Sequence, residues 1–486
     1  MKTLHSLNRL TLFMLLAFGA VAISLTYWSA FDAPSMLARS DNPRLVEGEE
    51  AIKRGAIYDR NEQVLAQNIP VQQLPSGWML QQRIYPSLEA VSAVGYYSLV
   101  HGVGGAEAAF DKILRGDDLL DADRILQNSI LHLPEVGSEV RLTLDLDLQK
   151  QIITALGNHR GAVVVLDVPS GAVLAMVSLP SYDPNKLADI SDRDKLDAYY
   201  NALKADKTAP LLNRVTQGIY QPGGALETVI LAAMLTNKNP LNGIVNGAML
   251  PVQVNGMTLT CASNGQIVTL IDAYALACPA VFANAAVQNP EGIQAMIDAF
   301  GLTKAPILVS YETVSGKAPI PLNEFSDSVQ RSAQGAGQGD LTVTPLQMVL
   351  VAATIANHGN AVTPYLGDAL RRPDSSDWTP LPRVEKYPAV ITPEVAGDIE
   401  TAMASAIKTG GMFDSSPVKI FGHASIAYTG KTADSWFIGY TRPDQADNTA
   451  DNRAVAVAVV IEDSQDSSFA AQVGGVALMA GATPIP

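Results

Sequence analysis

Cysteine is nearly absent from this chain. Two residues in 486, Cys261 and Cys278, exclude a disulfide framework and allow at most one bridge. Histidine is scarce as well: the six residues include no pair at metal-ligand spacing, so each reads as a lone structural or surface side chain and no metal is expected. Positive charge is in deficit. Lys plus Arg number 33 against 48 Asp plus Glu, a net charge of −15, which argues against nucleic acid as a partner. No repeat of solenoid period and no long low-complexity run is visible. What is abundant is apolar sequence, 48% of the residues, enough over this length for a large core and more than one domain.

One stretch has no charge at all. Residues 10–31, LTLFMLLAFGAVAISLTYWSAF, would make about 33 Å of helix at ~1.5 Å per residue, enough to span a bilayer. Lys2 and Arg9 precede it and Asp32 follows, which places residues 1–9 in the cytoplasm and the bulk outside. A cleaved signal peptide is the rival reading, against which the run is long. Residues 32–53 are polar and of mixed charge and read as a linker.

The chain is organised around Tyr220-Gln221-Pro222-Gly223-Gly224-Ala225-Leu226-Glu227-Thr228-Val229-Ile230, where a tight turn runs directly into an apolar segment, the pattern of a buried helix entered from a loop. Upstream, Arg54-Gly55-Ala56-Ile57-Tyr58-Asp59-Arg60-Asn61-Glu62-Gln63-Val64-Leu65-Ala66 predicts strand, turn and strand. Residues 162–167 and 172–178 are apolar runs around a Pro169-Ser170-Gly171 turn, predicting a hairpin with both strands central in a sheet. Residues 335–348, GAGQGDLTVTPLQM, predict a Gly-rich turn, a short strand, and a helix capped by Thr344 with Pro345 at its first position. Residues 455–462 predict a further sheet strand.

These segments resemble, in order, the motifs of class B penicillin-binding proteins. The 54–66 stretch is similar to R-G-x-I-Y-D-R-N-G-x-V-L-A, with Glu62 in place of the turn glycine. Arg83-Ile84-Tyr85-Pro86, Val94-Gly95-Tyr96 and Gly105-Ala106-Glu107 are similar to that family's pedestal motifs, and Leu142 to Gln149, Pro180 to Asn185, Asn213-Arg214 and residues 335–348 to its transpeptidase domain. The resemblance implies an α+β fold, a mainly antiparallel sheet with helices on both sides, a linker and small pedestal over residues 32–140, a transpeptidase-like domain over 141–486 and one N-terminal transmembrane helix. It also implies a reaction, acylation of a Ser by a D-Ala-D-Ala stem peptide, carried by three motifs, and all three are altered here. In Y-x-P-G-S-T-x-K the Ser position holds Gly224 and the Lys position Glu227. In S-C-N the positions hold Ala277 and Pro279 around Cys278. In K-T-G, Tyr428 stands at the Lys before Thr429 and Gly430, although a second register through Lys431-Thr432-Ala433 is open.

Acyl transfer needs a nucleophile with a base beside it. Gly224 has no side chain, and Glu227 is acidic where the family has an amine. The degenerate positions therefore imply no catalytic residue, no cofactor and a pseudo-transpeptidase: a scaffold or regulator among cell-wall synthesis proteins of the bacterial cytoplasmic membrane, still able to dock stem peptide or penicillin through Thr429, Gly430 and Lys431. The alternative is a working transpeptidase or carboxypeptidase with an unrecognised nucleophile; a ligand sensor is a third and weaker possibility. Glu227 is expected as a solvated carboxylate on the cleft floor or, in the second register, as an ion-pair partner of Lys431. Cys261 and Cys278 are expected to pair. Ser405 to Gly410 contains both S-x-x-K and K-T-G, but one lysine cannot occupy two sides of a cleft, and the segment reads as a surface helix with a glycine stop. Ser263-Asn264 reads as a turn.

Overall fold

The computed structural model describes residues 2–27, 48–74, 77–117, 135–254, 256–262, 267–308, 311–315, 320–383, 388–414, 416–430, 432–442 and 453–483. Its centre is a five-stranded sheet of β1 (Gly161–Asp167), β2 (Val173–Leu179), β3 (Lys419–Tyr428), β4 (Ala433–Arg442) and β5 (Val455–Ile461), in the order β3-β4-β5-β1-β2. Every pairing is antiparallel. The strands read as unbroken apolar runs because both faces are covered. Along β5, Val455, Val457 and Val459 enter one core, and Ala456, Ala458 and Val460 enter the other. The first of these cores lies under α1 (Leu146–Leu156) and α5 (Ser467–Ala482), and the second under α2 (Glu227–Thr236), α3 (Pro345–Ala356) and α4 (Pro393–Thr409).

The hairpin over 161–179 forms, but only β1 is central; β2 is at the sheet edge. Burial misled the sequence reading, because this edge is covered. Gln149 of α1 donates to Met176 O (2.7 Å) and accepts from Met176 N (2.9 Å), while Val173 N donates to Tyr365 O (3.0 Å). Such capping removes the hazard of an open edge. Thr344 caps α3 in a reciprocal box with Gln347, with Pro345 at the first position.

The second sheet has six strands and joins distant parts of the chain: Ile57–Tyr58, Val64–Gln73, Met79–Ile84, Glu139–Leu142, Gly367–Arg371 and Thr379–Pro380. It takes strands from both sides of residue 140. Glu62, at the tip of its first hairpin, has φ of 61°, the left-handed conformation that suits glycine. Beneath the sheet, Glu107 accepts from Arg83 Nε (2.6 Å), Arg54 Nη2 (3.0 Å) and Tyr85 OH (3.2 Å). Burial by itself would raise the Glu107 pKa, but the two guanidiniums outweigh it and hold it below the ordinary range. Three separated motifs are thus parts of one buried ion network.

A helix spans Lys2–Tyr27, and Leu12, Phe13, Leu15, Leu16, Phe18 and Ile23 on it are exposed. Among the described residues no helix is long and apolar enough to cross a membrane; side chains are described from Thr11 onward, and residues 28–31 of the expected span lie outside the described residues. The α4 helix is not a free surface helix. Ile399, Ala402, Met403 and Ala406 are buried in the core, while Glu394, Gly397, Thr401 and Lys408 on its other face are exposed, with Gly411 left-handed at the stop.

Candidate functional site

The loop that enters α2 is tightly framed. Tyr220 and Val343 exchange backbone hydrogen bonds (2.9 and 2.7 Å), Trp436 Nε1 donates to Gln221 O (3.1 Å), and Gly223 N donates to Gly337 O (2.9 Å). Gly223 and Gly337 are both left-handed and pressed together: a Cβ on Gly337 would lie 2.0 Å from Gly223 O. Tyr220 OH donates to Glu462 Oε1 (2.8 Å), which also accepts from Arg214 Nε (2.7 Å), so the Asn213-Arg214 pair anchors the same loop. A single 3-10 turn, Gly223–Leu226, then runs into α2.

This loop-to-helix elbow is therefore rigidly held, and Gly224 sits on it without a side chain. The space a side chain would need is filled from the facing strand. A Cβ built on Gly224 would lie 2.8 Å from Ser425 Cβ, 3.5 Å from Ser425 Oγ and 3.7 Å from Glu227 Cδ. Ser425 belongs to β3, where His423, Ser425 and Ala427 point inward together.

Glu227 is neither solvated nor shown beside Lys431, which lies outside the described residues. It is 1% exposed and faces His423, with Oε2 3.5 Å from Nε2. At that separation and orientation the two atoms make no hydrogen bond, and neither finds another partner among the described residues. Burial pushes the Glu227 carboxyl pKa up, and the adjacent imidazole opposes this only in part. The His423 ring stacks on Tyr274 (centroids 4.3 Å apart, 22° between planes), whose hydroxyl is 2.9 Å from Thr228 Oγ1. Ser425 Oγ also has no hydrogen-bond partner among the described residues. The set Ser425, His423 and Glu227 has the residue types of a hydrolytic triad, but all three are sealed from solvent at 3%, 1% and 1% exposure.

Ala277 is left-handed (φ 45°), a conformation strained for a residue with a Cβ. Pro279 opens the helix Pro279–Gln288 at its first position, where its missing N–H is tolerated. Cys278 at the N-cap is disulfide-bonded to Cys261. The β3 strand ends at Tyr428, paired with Ala433, so Tyr428 occupies the strand position and Thr429 the start of the turn. Tyr428 N donates to Gln338 Oε1 (3.1 Å), and its ring joins an apolar cluster with Val254, Leu259 and Ala336. Thr429 is exposed, with its hydroxyl 2.7 Å from that of Thr432, and Gly430 is left-handed. Ser263-Asn264 lie outside the described residues. Neither His423 nor Ser425 is visible as a site residue in the sequence; the signal was polar residues alternating on the inward face of the strand that ends at Tyr428.

The model of the penicillin binding protein transpeptidase domain matches residues 161–477, most of the chain. The chain belongs to the penicillin-binding protein transpeptidase family. It is 30% identical to the peptidoglycan D,D-transpeptidase PbpA of Mycolicibacterium smegmatis, over 95% of this chain and 94% of that protein. It is 38% identical to the D,D-transpeptidase MrdA of Escherichia coli over 149 residues, 29% of this chain and 23% of that one. Among solved structures, it superposes on penicillin-binding protein A of M. tuberculosis, an imipenem acyl-enzyme complex, with a TM-score of 0.77 at 27% identity, covering 89% of this chain and 99% of that chain. The class B resemblance is thereby shown, together with a place among the homologues of peptidoglycan synthesis.

Proposed function

We propose that this penicillin-binding-protein homologue is a pseudo-transpeptidase, a catalytically silent member that acts as scaffold or regulator in a membrane-bound cell-wall synthesis complex. One observation carries the reading: the nucleophile position is Gly224, and the space above it is filled by Ser425. M. tuberculosis penicillin-binding protein A has been captured as acyl-enzymes with imipenem and with penicillin G. Here no hydroxyl stands on the elbow, and Glu227, buried against His423, replaces the amine that would activate one. In serine hydrolases, loss of the nucleophile alone lowers turnover by about 10⁶.

The N-terminal helix, with its exposed apolar side chains, supports a retained single-pass anchor over residues 10–31 with the bulk extracytoplasmic. Residues 32–140 serve as pedestal and 141–486 as the transpeptidase-like domain. Partners are cell-wall synthesis proteins of the same membrane. Stem peptide or penicillin docks without acylation along Thr429, Gly430 and Lys431.

A second reading has one observation in its favour. Ser425, His423 and Glu227 supply a hydroxyl, an imidazole and a carboxylate at the elbow, and a D,D-transpeptidase or carboxypeptidase using Ser425 would need this strand to open. Incubating the full-length protein with a D-Ala-D-Ala pentapeptide separates the two. The scaffold reading predicts no released D-alanine; release that Ser425→Ala abolishes would establish the second.

A further inference from the structure

Where the tip of the first hairpin of the six-stranded sheet meets the β1–β2 turn, a cavity of about 440 Å³ opens to solvent. It is lined by Arg60, Arg141 and Arg453, by Asp167 and Asp368, and by Tyr365. Both carboxylates are already engaged. Asp368 accepts from Arg141 (2.8 Å) and from Arg383 (2.7 Å). Asp167 accepts from the Ser170 hydroxyl and from the Ser170 backbone N–H (3.2 Å).

Arg60 and Arg453 are different. Both are half-buried, and neither guanidinium makes a hydrogen bond or ion pair with a described residue. Both line the same cavity, and after burial the charge of Arg453 lowers the Arg60 pKa, an effect that the carboxylates of Asp145 and Asp167 offset only in part. Two like charges partly withdrawn from water repel each other. An oxyanion between them would remove that repulsion, and guanidinium forks match oxyanion geometry. Counting the lining groups, three arginines against two aspartates leave the cavity positive in a chain whose net charge is −15. Its volume falls in the range of small-ligand sites, with room for an organic group beside the anion.

We propose that the cavity between Arg60 and Arg453 binds a phosphate-bearing anion, either a lipid headgroup or a soluble phosphomonoester. The site is separate from the elbow at Gly224 and holds whether or not the protein acylates.

Full-length protein in detergent, titrated with inorganic phosphate at constant ionic strength and followed by thermal unfolding, tests this. The expected result is a saturable rise in Tm that Arg60→Gln and Arg453→Gln each weaken at least about tenfold, the loss expected from one charge-assisted contact. Without phosphate, both variants should unfold at or above the wild-type temperature, because each relieves the repulsion. Equal phosphate responses in wild type and both variants would overturn the proposal, since phosphate would then act nonspecifically. So would variants that unfold well below wild type without phosphate, since the arginines would then be structural. Competition by dihexanoyl phosphatidic acid and by glucose 1-phosphate identifies the source: the tighter competitor marks the lipid or the soluble class.

Discussion

Placing a hydroxyl on the elbow is the most informative perturbation. A serine at position 224 would put its Cβ 2.8 Å from Ser425 Cβ, closer than carbon atoms pack, and neither atom can turn away because both are fixed by backbone. Overpacking of this kind costs about 1–3 kcal/mol. Gly224→Ser should therefore lower stability by that amount in urea denaturation, with little change in the slope. It should also remain unacylated, because Glu227 and His423, not an amine, lie beside it. Ser425→Gly vacates the contested space, and the double variant Gly224→Ser, Ser425→Gly should recover most of the loss, a coupling of about 1–2 kcal/mol between touching residues. Additivity within about 0.5 kcal/mol, or a neutral Gly224→Ser, would refute the claim that Ser425 fills the site.

Three further outcomes follow from the geometry. Glu107→Ala strands Arg83 and Arg54 without their shared carboxylate, and a loss of about 3–5 kcal/mol is expected by chemical denaturation; a loss under about 1 kcal/mol would contradict the network. Asp434 is pushed up to about 6, first by burial and then by Glu462 and Asp463. A carboxyl with a raised native pKa favours the folded state below its unfolded pKa near 4 and loses that contribution as pH rises through about 6, so Asp434→Asn should gain stability over wild type across that window and hold it at pH 7; a gap that does not widen between pH 4 and 7 would exclude this. The bridge between Cys261 and Cys278 closes a sequence separation of 17, for which loop entropy gives about 3 kcal/mol. Cys261→Ser with Cys278→Ser should lose roughly this much, and two thiols free to alkylating reagent in the native protein would rule the bridge out.

The sequence carries most of the fold because the architectural residues are local and typed. The Thr344-Pro345 start of α3, the Pro-Ser-Gly turn and the glycines of the elbow each do a job that few residues do. It also marks Gly224, Glu227, Ala277, Pro279 and Tyr428 as departures, because the frame around them persists. It does not carry what replaced the chemistry. His423 and Ser425 lie nearly 200 residues from Glu227 in sequence, and only pairing of β3 against the elbow brings them together. Glu227 was expected in water because a carboxylate usually is; what buries it is the facing strand, which the local sequence around α2 does not contain. The covered edge at β2 was missed for a related reason, since Gln149 and Tyr365 reach it from distant segments.

The central claim is that the elbow at Gly224 forms no covalent intermediate, and the intact mass of the unmutated full-length protein after exposure to penicillin G tests it most directly. The account predicts an unchanged mass at every time point, alongside a stoichiometric adduct on M. tuberculosis penicillin-binding protein A treated in parallel. A stable mass increase of one penicillin, mapped by peptide analysis to Ser425 or any other side chain of the cleft, would contradict it.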